Sequence, residues 1–388
     1  MTKRNRSNRT FAGLALATAI AGLSPLGALA QSDTYSSAAH DFEITTVAEG
    51  LEVPWSMTWL PNGDMLVTER PGRLRIVRNG TLLAAPVEGV PEVHAVGQGG
   101  LFDVLPHPDF ESNKLVYLSF SKPLPDESTT TVIRGTFEND RLSNVETIFQ
   151  ADTTGRNGHY GGRIAFDNDG YLFITVGDRQ APPSGNLEAH PAQDLANHSG
   201  TVIRLHADGR VPSDNPFVGR RDALPEIYSY GHRNPQGIDI HPVTGDVWTD
   251  EHGPQGGDEL NIEEAGKNYG WPVIGYGVNY GPGLPIHSSQ QSEGMEQPRH
   301  FWVPSIATAG LMIYSGDLFP NWKGDIFVGG LRGQQLARVD LNDEGKMAMM
   351  EETLLNGIGR IRDIHQGPEG AIYIATENRG ILRLTPSN

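Results

Sequence analysis

The clearest candidates for chemistry are one histidine and one aspartate that flank a predicted β-hairpin. His159 lies in N-G-H-Y-G-G-R and Asp178 lies in V-G-D-R. Between them, two short apolar segments surround the turn sequence D-N-D-G at 167–170, which is typical of a hairpin. A hairpin brings its open ends together, so we expect the two side chains to be neighbours. A carboxylate beside an imidazole fixes one tautomer and raises its basicity, as a general base requires. The alternative is a purely structural hydrogen bond.

Two further motifs present cations at loop positions. G-H-R-N-P-Q-G (231–237) contains Arg233 and Asn234, and the guanidinium could bind a carboxylate through two parallel hydrogen bonds. G-R-I-R-D (359–363) contains Arg360 and Arg362, which point the same way if this segment is a strand. Two adjacent like charges favour an anionic ligand between them. The alternatives are a surface salt bridge for Arg233 and a separate carboxylate partner for each of the paired arginines.

An acidic, glycine-rich segment is a weaker candidate for a metal site. D-E-H-G-P-Q-G-G-D-E-L-N (250–261) has a Gly253-Pro254 turn with carboxylates nearby, and N-Y-G-W-P follows at 268–272. Calcium takes oxygen ligands, often carbonyls of tight turns together with one or two carboxylates. The EF-hand spacing is absent. A solvated acidic turn is the alternative interpretation.

A short repeated unit predicts the elements that position these residues. A turn followed by an alternating apolar strand recurs six times, with turn positions at 63, 113, 170, 245, 324 and 370. Six units at this spacing predict an all-β fold, a six-bladed β-propeller with antiparallel four-stranded blades. The predicted propeller is a single domain over 42–388. We expect the strands at 42–47 and 380–384 to close the ring within one blade.

The N-terminus and the composition limit the possible partners. Residues 1–30 have a basic start, an apolar middle and a small-residue end, which predicts a cleaved export signal and a periplasmic or secreted protein. Residues 31–41 are expected to be a short disordered segment. Removing 1–30 takes four basic residues and no acidic one, so the net charge changes from −17 to −21. That charge disfavours nucleic acid and anionic membranes as partners, and no later segment is apolar enough to insert into a bilayer.

Several reaction classes lack their motifs. The chain has no cysteine, no G-x-S-x-G, no H-E-x-x-H, no phosphate-binding P-loop and no dinucleotide fingerprint. Thiol, nicotinamide and ATP chemistry are therefore disfavoured. The remaining set is a His-Asp pair, several arginines and a carbonyl-rich acidic turn. It suits a polyanionic cofactor held by arginines and bridged by a divalent cation.

Taken together and in order, these motifs resemble one family. They are G-Q-G-G-L, N-G-H-Y-G-G-R, V-G-D-R, G-H-R-N-P-Q-G, E-H-G-P-Q-G-G-D-E and R-I-R-D, and they extend over nearly the whole mature chain. The chain resembles the soluble sugar dehydrogenases that depend on pyrroloquinoline quinone (PQQ), most closely their aldose sugar dehydrogenase branch. The family fold is a six-bladed propeller, in agreement with the repeat count.

The resemblance implies a role for individual residues. His159 matches the catalytic base and Asp178 the carboxylate beside it. The positions matching quinone contacts or cofactor neighbours are Gln98, Arg233, Asn234, Tyr280, Trp302, Arg332, Arg360 and Arg362. Arg332 stands where the glucose-specialised branch has a lysine. The carbonyls of Gly253 and Pro254 match those that bind the calcium bridging to the quinone, and Glu259 and Tyr269 match a second, structural calcium site.

The implied reaction is oxidation of an aldose at C1 to the lactone, with electrons passed to an external acceptor. The long loops at 180–230 and 276–300 are expected to shape the sugar pocket, and the protein is expected to be a monomer or homodimer. Two other functions are possible: a calcium-dependent propeller lactonase or hydrolase with His159 as base, and a non-enzymatic propeller that binds a sugar or a protein. A lactonase has no need of so many cations around one pocket, and a binding module leaves the His-Asp pair unexplained.

Overall fold

The computed structural model describes residues 33–155 and 157–387, so the predicted signal segment 1–30 lies outside the described residues. The strands form six antiparallel sheets, five with four strands and one with five. The predicted six-bladed propeller is confirmed. None of the described helices is long and apolar enough to span a bilayer.

The strands are numbered in chain order. Two strands precede the first blade: β1 (Asp33–Ser36) and β2 (Asp41–Ala48). Blade 1 contains β3 (Pro54–Trp59), β4 (Met65–Glu69), β5 (Arg73–Arg78) and β6 (Thr81–Leu82). Blade 2 contains β7 (Leu101–Pro106), β8 (Leu115–Pro123), β9 (Ser128–Glu138) and β10 (Arg141–Gln150). Blade 3 contains β11 (Ile164–Phe166), β12 (Tyr171–Val176), β13 (Thr201–His206) and β14 (Ile227–Tyr230).

The second half of the ring repeats this arrangement. Blade 4 contains β15 (Pro235–Ile240), β16 (Val247–Glu251), β17 (Asp258–Glu263) and β18 (His300–Trp302). Blade 5 contains β19 (Thr308–Ile313), β20 (Ile326–Gly330), β21 (Leu336–Leu341) and β22 (Ala348–Leu354). Blade 6 contains β23 (Ile361–Gln366), β24 (Ile372–Thr376) and β25 (Gly380–Pro386), together with β2. The described helical segments are the single turn α1 (Phe110–Asn113) and three 3₁₀ turns, Leu187–Ala189, Pro191–Gln193 and Pro320–Trp322.

The ring closes as the sequence predicts, with the two ends of the chain in one blade. Strand β2 pairs with β25, and Ile44 lies opposite Leu384. The expectation that 31–41 is disordered is wrong for the described residues from 33 onward, because β1 adds a fifth strand beside β2. Tyr35 stacks on Phe42 at 5.7 Å between ring centroids, and the N–H of Ala38 donates to Glu352 of blade 5 at 2.7 Å. These contacts hold the segment against the ring.

The six repeats found in the sequence all correspond to one structural position. Each is the turn and the second strand of its blade, that is β4, β8, β12, β16, β20 and β24. Their apolar side chains form the core between adjacent blades. One cluster, for example, joins Leu66 of blade 1 to Leu118 of blade 2, and another joins Trp248 of blade 4 to Val328 of blade 5. Packing blade against blade buries faces that a single four-stranded sheet would expose.

The first strand of every blade lines the central channel, since the first strands of neighbouring blades contact one another. At one end of the channel the first strands begin and the second strands finish. The motifs that carry His159, Asp178, Arg233, Gly253 and Arg360 lie at that end, because each sits just before a first strand or just after a second strand. The propeller therefore brings residues far apart in sequence to one opening.

A buried arginine crosses the channel below that opening. Arg163 contacts Asp363 at 2.8 Å and donates to the carbonyls of Gln236 at 2.8 Å and Arg362 at 2.5 Å, so it links blades 3, 4 and 6. Replacing it with methionine leaves the Asp363 carboxylate buried without its cation. We expect Arg163→Met to reduce the free energy of unfolding by about 3–5 kcal/mol, measured by urea denaturation.

The matched control is Arg220→Met, which removes an exposed arginine paired with Asp222 at 2.6 Å. Exposed ion pairs contribute little to stability, so this variant should unfold at the same urea concentration as the parent protein. If both variants unfold at the same urea concentration, Arg163 does not stabilise the contact between the blades.

Candidate active site

The predicted hairpin holds His159 and Asp178 side by side. Strands β11 and β12 pair antiparallel with Ile164 opposite Ile174, and His159 Nδ1 lies 2.6 Å from Asp178 Oδ1. Both side chains are buried, with exposed fractions of 6% and 1%. The glycine of V-G-D-R is needed for this approach, because a Cβ on Gly177 would lie 2.3 Å from the carbonyl oxygen of His159.

Four contacts fix the orientation of this His-Asp pair. The backbone N–H of His159 donates to Gln98 Oε1 at 2.8 Å. Asp178 Oδ1 also accepts the N–H of Gln180 at 2.9 Å, and Oδ2 accepts the indole N–H of Trp271 at 2.8 Å. The backbone N–H of Asp178 donates to the Arg233 carbonyl at 2.8 Å. An ionised Asp178 can only accept, so His159 Nδ1 carries the proton and Nε2 keeps its lone pair.

The electrostatics of the pair suit a neutral base beside an ionised carboxylate. Burial lowers the pKa of His159 below its usual value; Asp178 opposes this and Arg233 reinforces it. For Asp178 burial acts to raise the pKa, but His159, Arg233 and His190 outweigh it and hold the pKa below the usual range. At neutral pH the imidazole is therefore uncharged and able to accept a proton.

Two cavities lie near the His-Asp pair, and His159 lines the larger one. A cavity of about 510 Å³ contains His159 and Asp178 in its wall, together with residues of the two long loops such as Pro182 and Tyr280. A second, of about 240 Å³, is lined by Arg360, Arg362 and the aromatic rings of Trp55 and Tyr160. Gln98 lines both, so the cavities are neighbours, and together they have the volume of a cofactor and small-substrate site.

The paired arginines do face the same way, but they share one carboxylate. Glu377 lies 2.8 Å from Arg360 Nε and 2.7 Å from Arg362 Nε. Of the two alternatives that the sequence left open, a separate carboxylate for each arginine is not what the structure has, since Glu377 serves both. Two guanidinium groups on one carboxylate leave a net positive charge at the wall of the smaller cavity. That charge is available to an anionic ligand.

Arg233 and Asn234 lie next to each other but serve different contacts. The Arg233 guanidinium donates to the carbonyls of Gly253 at 2.7 Å and His252 at 3.2 Å, and its backbone N–H donates to Glu251 at 2.6 Å. Asn234 is buried, and its Oδ1 accepts the backbone N–H of Gly161 at 3.0 Å. Its side-chain oxygen therefore supports the loop that carries His159 and is not turned toward a ligand.

A buried charge cluster of His232, Glu251 and Glu263 stabilises the loop that carries Arg233. His232 lies 2.9 Å from Glu251 and 3.3 Å from Glu263. Burial disfavours a charged ring, but Glu263 and Glu251 outweigh it and raise the pKa of His232 to about 10. The ring is therefore an imidazolium at neutral pH, and it holds Glu251 where Glu251 can bind the Arg233 backbone.

The four residues matched to calcium line one small cavity. This cavity, of about 20 Å³, is lined by Gly253, Pro254, Glu259 and Tyr269, and it has room for about one ion or water. The Tyr269 hydroxyl is already engaged, since it donates to the Ile262 carbonyl and accepts the N–H of Glu264 at 2.9 Å. Between 33 and 387, leaving out 156, no group of three or more His, Asp or Glu side chains could hold a metal. A cation here would depend on backbone carbonyls.

Besides Asn234, two matched positions do not line the cavities, Trp302 and Arg332. Trp302 belongs to the apolar core between blades 4 and 5, and its indole N–H donates to Glu351 Oε1 at 2.9 Å. Strand β18 directs this side chain into the blade interface, and its place beside the cofactor stays a prediction. Arg332 is exposed next to Leu331, which lines the smaller cavity, but Arg332 is not part of the wall. Tyr280, 63% exposed, does line the larger cavity.

Sequence reasoning did not single out several residues of the cavity walls, among them Trp271 and His252. Trp271 lies within the quoted N-Y-G-W-P segment, yet only the structure shows it beside Asp178 and Arg233. His252 also lines the smaller cavity; its Nε2 lies 2.6 Å from the Thr308 carbonyl, and burial, together with Arg233, lowers its pKa to about 3. Both residues lie inside motifs rich in glycine and charge, where nothing in the sequence singles out an individual side chain.

Comparison with known proteins agrees with this geometry. Residues 51–383 match the family model described as glucose/sorbosone dehydrogenase. The chain is 39% identical over 354 residues to the aldose sugar dehydrogenase YliI of Escherichia coli strain K12, covering 89% of this chain and 93% of that protein. It is 25% identical over 431 residues to quinoprotein glucose dehydrogenase B of Acinetobacter calcoaceticus, covering 91% and 89%.

A solved structure shows the same likeness in three dimensions. The PQQ-bound form of aldose sugar dehydrogenase from Streptomyces coelicolor superposes with a TM-score of 0.73 at 27% identity, over 89% of this chain and 98% of that one. The resemblance inferred from the motifs is confirmed, and the chain belongs to the glucose/sorbosone dehydrogenase family of sugar-oxidising enzymes.

Proposed function

We propose that the protein oxidises aldose sugars at C1 to the lactone, with PQQ and Ca²⁺ as cofactors. The observation that carries this proposal is the joint geometry of the site. A neutral, oriented imidazole and a positively charged arginine pair line neighbouring cavities, with a small cavity that includes Gly253, Pro254 and Glu259 beside them. The quinone content of two relatives, a quinoprotein and a PQQ-bound structure, supports the choice of cofactor.

The residues present suit a polycarboxylate quinone. Arg360 and Arg362 keep a net positive charge after pairing with Glu377, and Arg233 adds a third guanidinium in the wall of the larger cavity. The combined volume is large enough for a tricyclic cofactor with a sugar beside it. When bound, the quinone polarised by Ca²⁺ supplies the hydride acceptor for sugar C1 and passes the electrons to an external acceptor.

The protein itself binds and orients the sugar and moves one proton. His159 Nε2, the nitrogen not used by Asp178, accepts the proton of the anomeric hydroxyl. Asp178 stabilises the resulting imidazolium and prevents the ring from turning over. The two long loops contribute Pro182, Tyr280 and Ile286 to the larger cavity, where they would contact the sugar.

The carbonyl-lined cavity fits a hard cation. The carbonyl of Gly253 accepts one hydrogen bond from Arg233 and, like any carbonyl, has a second lone pair. With Pro254 next in sequence and Glu259 across the cavity, these oxygens match the ligand type that Ca²⁺ prefers.

Calcium should therefore stabilise the protein as well as support turnover. At a free concentration of 100 times its Kd, a bound ion adds about 2.7 kcal/mol to the free energy of unfolding. We expect a chelator to lower both Tm and activity, and added Ca²⁺ to restore both, measured by differential scanning calorimetry and dye reduction. A Tm that does not change between chelator and excess Ca²⁺ would argue against a bound ion.

Reconstitution tests the function. Purified protein is mixed with Ca²⁺ and PQQ and assayed with glucose and an artificial dye acceptor; Ca²⁺ without quinone is the control. We expect dye reduction only when quinone is present. If several aldoses give no dye reduction and quinone produces no thermal shift, the proposed activity is wrong.

We also propose export to the periplasm or the medium, supported by the signal-like segment 1–30. An external electron acceptor would meet the enzyme there. Cell fractionation combined with N-terminal sequencing of the mature protein tests this, and an intact N-terminus on a cytoplasmic protein would contradict it.

A further inference from the structure

We propose that Trp271 is a positioning residue for the catalytic pair: its indole N–H fixes which oxygen of Asp178 faces His159. This role rests on the proposed function of His159 as the base. Trp271 belongs to the loop between β17 and β18 of blade 4, whereas His159 and Asp178 flank a hairpin of blade 3. The contact therefore joins blades 3 and 4 at the end of the channel where His159 and Asp178 lie.

The two oxygens of Asp178 have different partners. Oδ1 accepts from His159 Nδ1 at 2.6 Å and from the Gln180 N–H at 2.9 Å, while Oδ2 accepts only from Trp271 Nε1, at 2.8 Å. Without the indole donor, Oδ2 would be a buried oxygen with no partner among the described residues. A carboxylate fixed at both oxygens cannot rotate, and so the imidazole it holds keeps one orientation.

Trp271 is itself rigidly held. Its backbone N–H donates to the Gly231 carbonyl at 2.8 Å, and its backbone carbonyl accepts from Gln193 Nε2 at 2.7 Å. The ring of His287 packs edge-on against the indole at 5.6 Å between centroids. The indole is thus positioned by blades 3 and 4 before any ligand binds.

The same indole also faces a cation of the proposed cofactor site. The Arg233 guanidinium lies 5.3 Å from the ring centroid, within the range of a cation–π contact. Trp271 lines both the His159 cavity and the small carbonyl-lined cavity. A substitution there must therefore keep the ring and remove only the N–H, and Trp271→Phe does this most closely.

Removing the N–H has a directed electrostatic effect. Asp178 loses a donor, so its negative charge is less neutralised and it stabilises a protonated His159 more strongly. The other charged or titratable groups facing the pair are Arg179, His190, Arg233 and His252, and none is altered. The pH at which His159 takes up a proton should therefore rise in Trp271→Phe.

In the enzyme loaded with quinone, Trp271→Phe should lower kcat about 10- to 100-fold, the range for losing a hydrogen bond to a charged group. The acid limb of the kcat/KM profile should move to higher pH. The control is Trp322→Phe, which removes an indole N–H that has no hydrogen-bond partner among the described residues, in the core of blades 5 and 6 and outside the cavities. It should leave the pH profile unchanged.

A second readout needs neither cofactor nor turnover. The His159 ring signal can be followed by NMR in cofactor-free protein with labelled histidine, and assigned by its absence in His159→Ala. Its titration midpoint should rise in Trp271→Phe and stay constant in Trp322→Phe. An unchanged midpoint in Trp271→Phe overturns the positioning role, even if the proposed dehydrogenase activity is fully present. Absence of quinone-dependent sugar oxidation in the parent protein would instead overturn the proposed function.

A double variant tests the geometry independently. In Asp178→Asn the amide NH₂ must face either the Nδ1–H of His159 or the indole N–H of Trp271. Both of these groups are hydrogen-bond donors, so neither can accept from the NH₂. With phenylalanine at 271 the NH₂ can turn to that side, and the amide oxygen can accept from His159. Asp178→Asn/Trp271→Phe should therefore turn over faster than Asp178→Asn alone. A double variant no faster than the single one contradicts the proposal.

Discussion

Replacing His159 with alanine is expected to lower kcat by about 100-fold or more, the range for losing a general base. The imidazole is neutral, buried and oriented by Asp178 at 2.6 Å, so Nε2 is ready to accept a proton. Quinone binding should be kept, because the arginines that would hold the cofactor do not contact His159 through any hydrogen bond of the described structure. Stopped-flow dye reduction measures kcat, and quinone absorbance titration measures binding.

The control for this variant is His252→Ala, which removes another imidazole of the cavity walls. His252 is also neutral, but its Nε2 is bonded to the Thr308 carbonyl. His252→Ala should lower kcat much less than His159→Ala. If the two losses are reversed, His252 is the base and the assignment of His159 is wrong.

Asp178→Asn is expected to lower kcat by about 100- to 10,000-fold. The side chain keeps its size, but its NH₂ must then point at another N–H donor, either that of His159 or that of Trp271. Asp178 accepts from three N–H groups, those of His159, Gln180 and Trp271. An asparagine can accept on one side only. If its NH₂ faces His159, the ring must carry its proton on Nε2, and the lone pair needed for catalysis is lost.

The pH dependence separates this effect from unfolding. Parent enzyme should gain activity as pH rises through the His159 pKa and then reach a plateau, since the deprotonated ring is the active form. Asp178→Asn should stay slow across that plateau, with a Tm close to that of the parent. Full activity of Asp178→Asn at high pH would show that Asp178 does not select the tautomer.

The fold was predictable because its repeat is local. A turn with glycine followed by an apolar strand marks the second strand of each blade, and six such units fix the blade count. The pair of His159 and Asp178 was predictable for the same reason, since one hairpin determines their proximity. The fifth strand β1 could not be predicted, because it depends on Glu352 and on stacking against Phe42, contacts made only after the ring closes.

The parts of the site that the sequence missed depend on contacts between blades. Nothing near Arg360 or Arg362 in sequence indicates that Glu377 pairs with both. Trp302 and Trp271 are both tryptophans beside proline-containing loops, yet one points into a blade interface and the other at Asp178. Which way each indole points is set by neighbouring blades, and that information is not contained in a short motif.

Anaerobic single-turnover reduction of bound quinone is the most direct test of the account. Protein loaded with PQQ and Ca²⁺ is mixed with glucose, or with glucose carrying deuterium at C1, and the quinone absorbance is followed without any dye. We expect loss of the oxidised quinone spectrum with both sugars, more slowly with the deuterated one, and lactone as the product. An unchanged spectrum with every aldose tested, although a thermal shift shows that the quinone is bound, would contradict the claim that this site oxidises sugars.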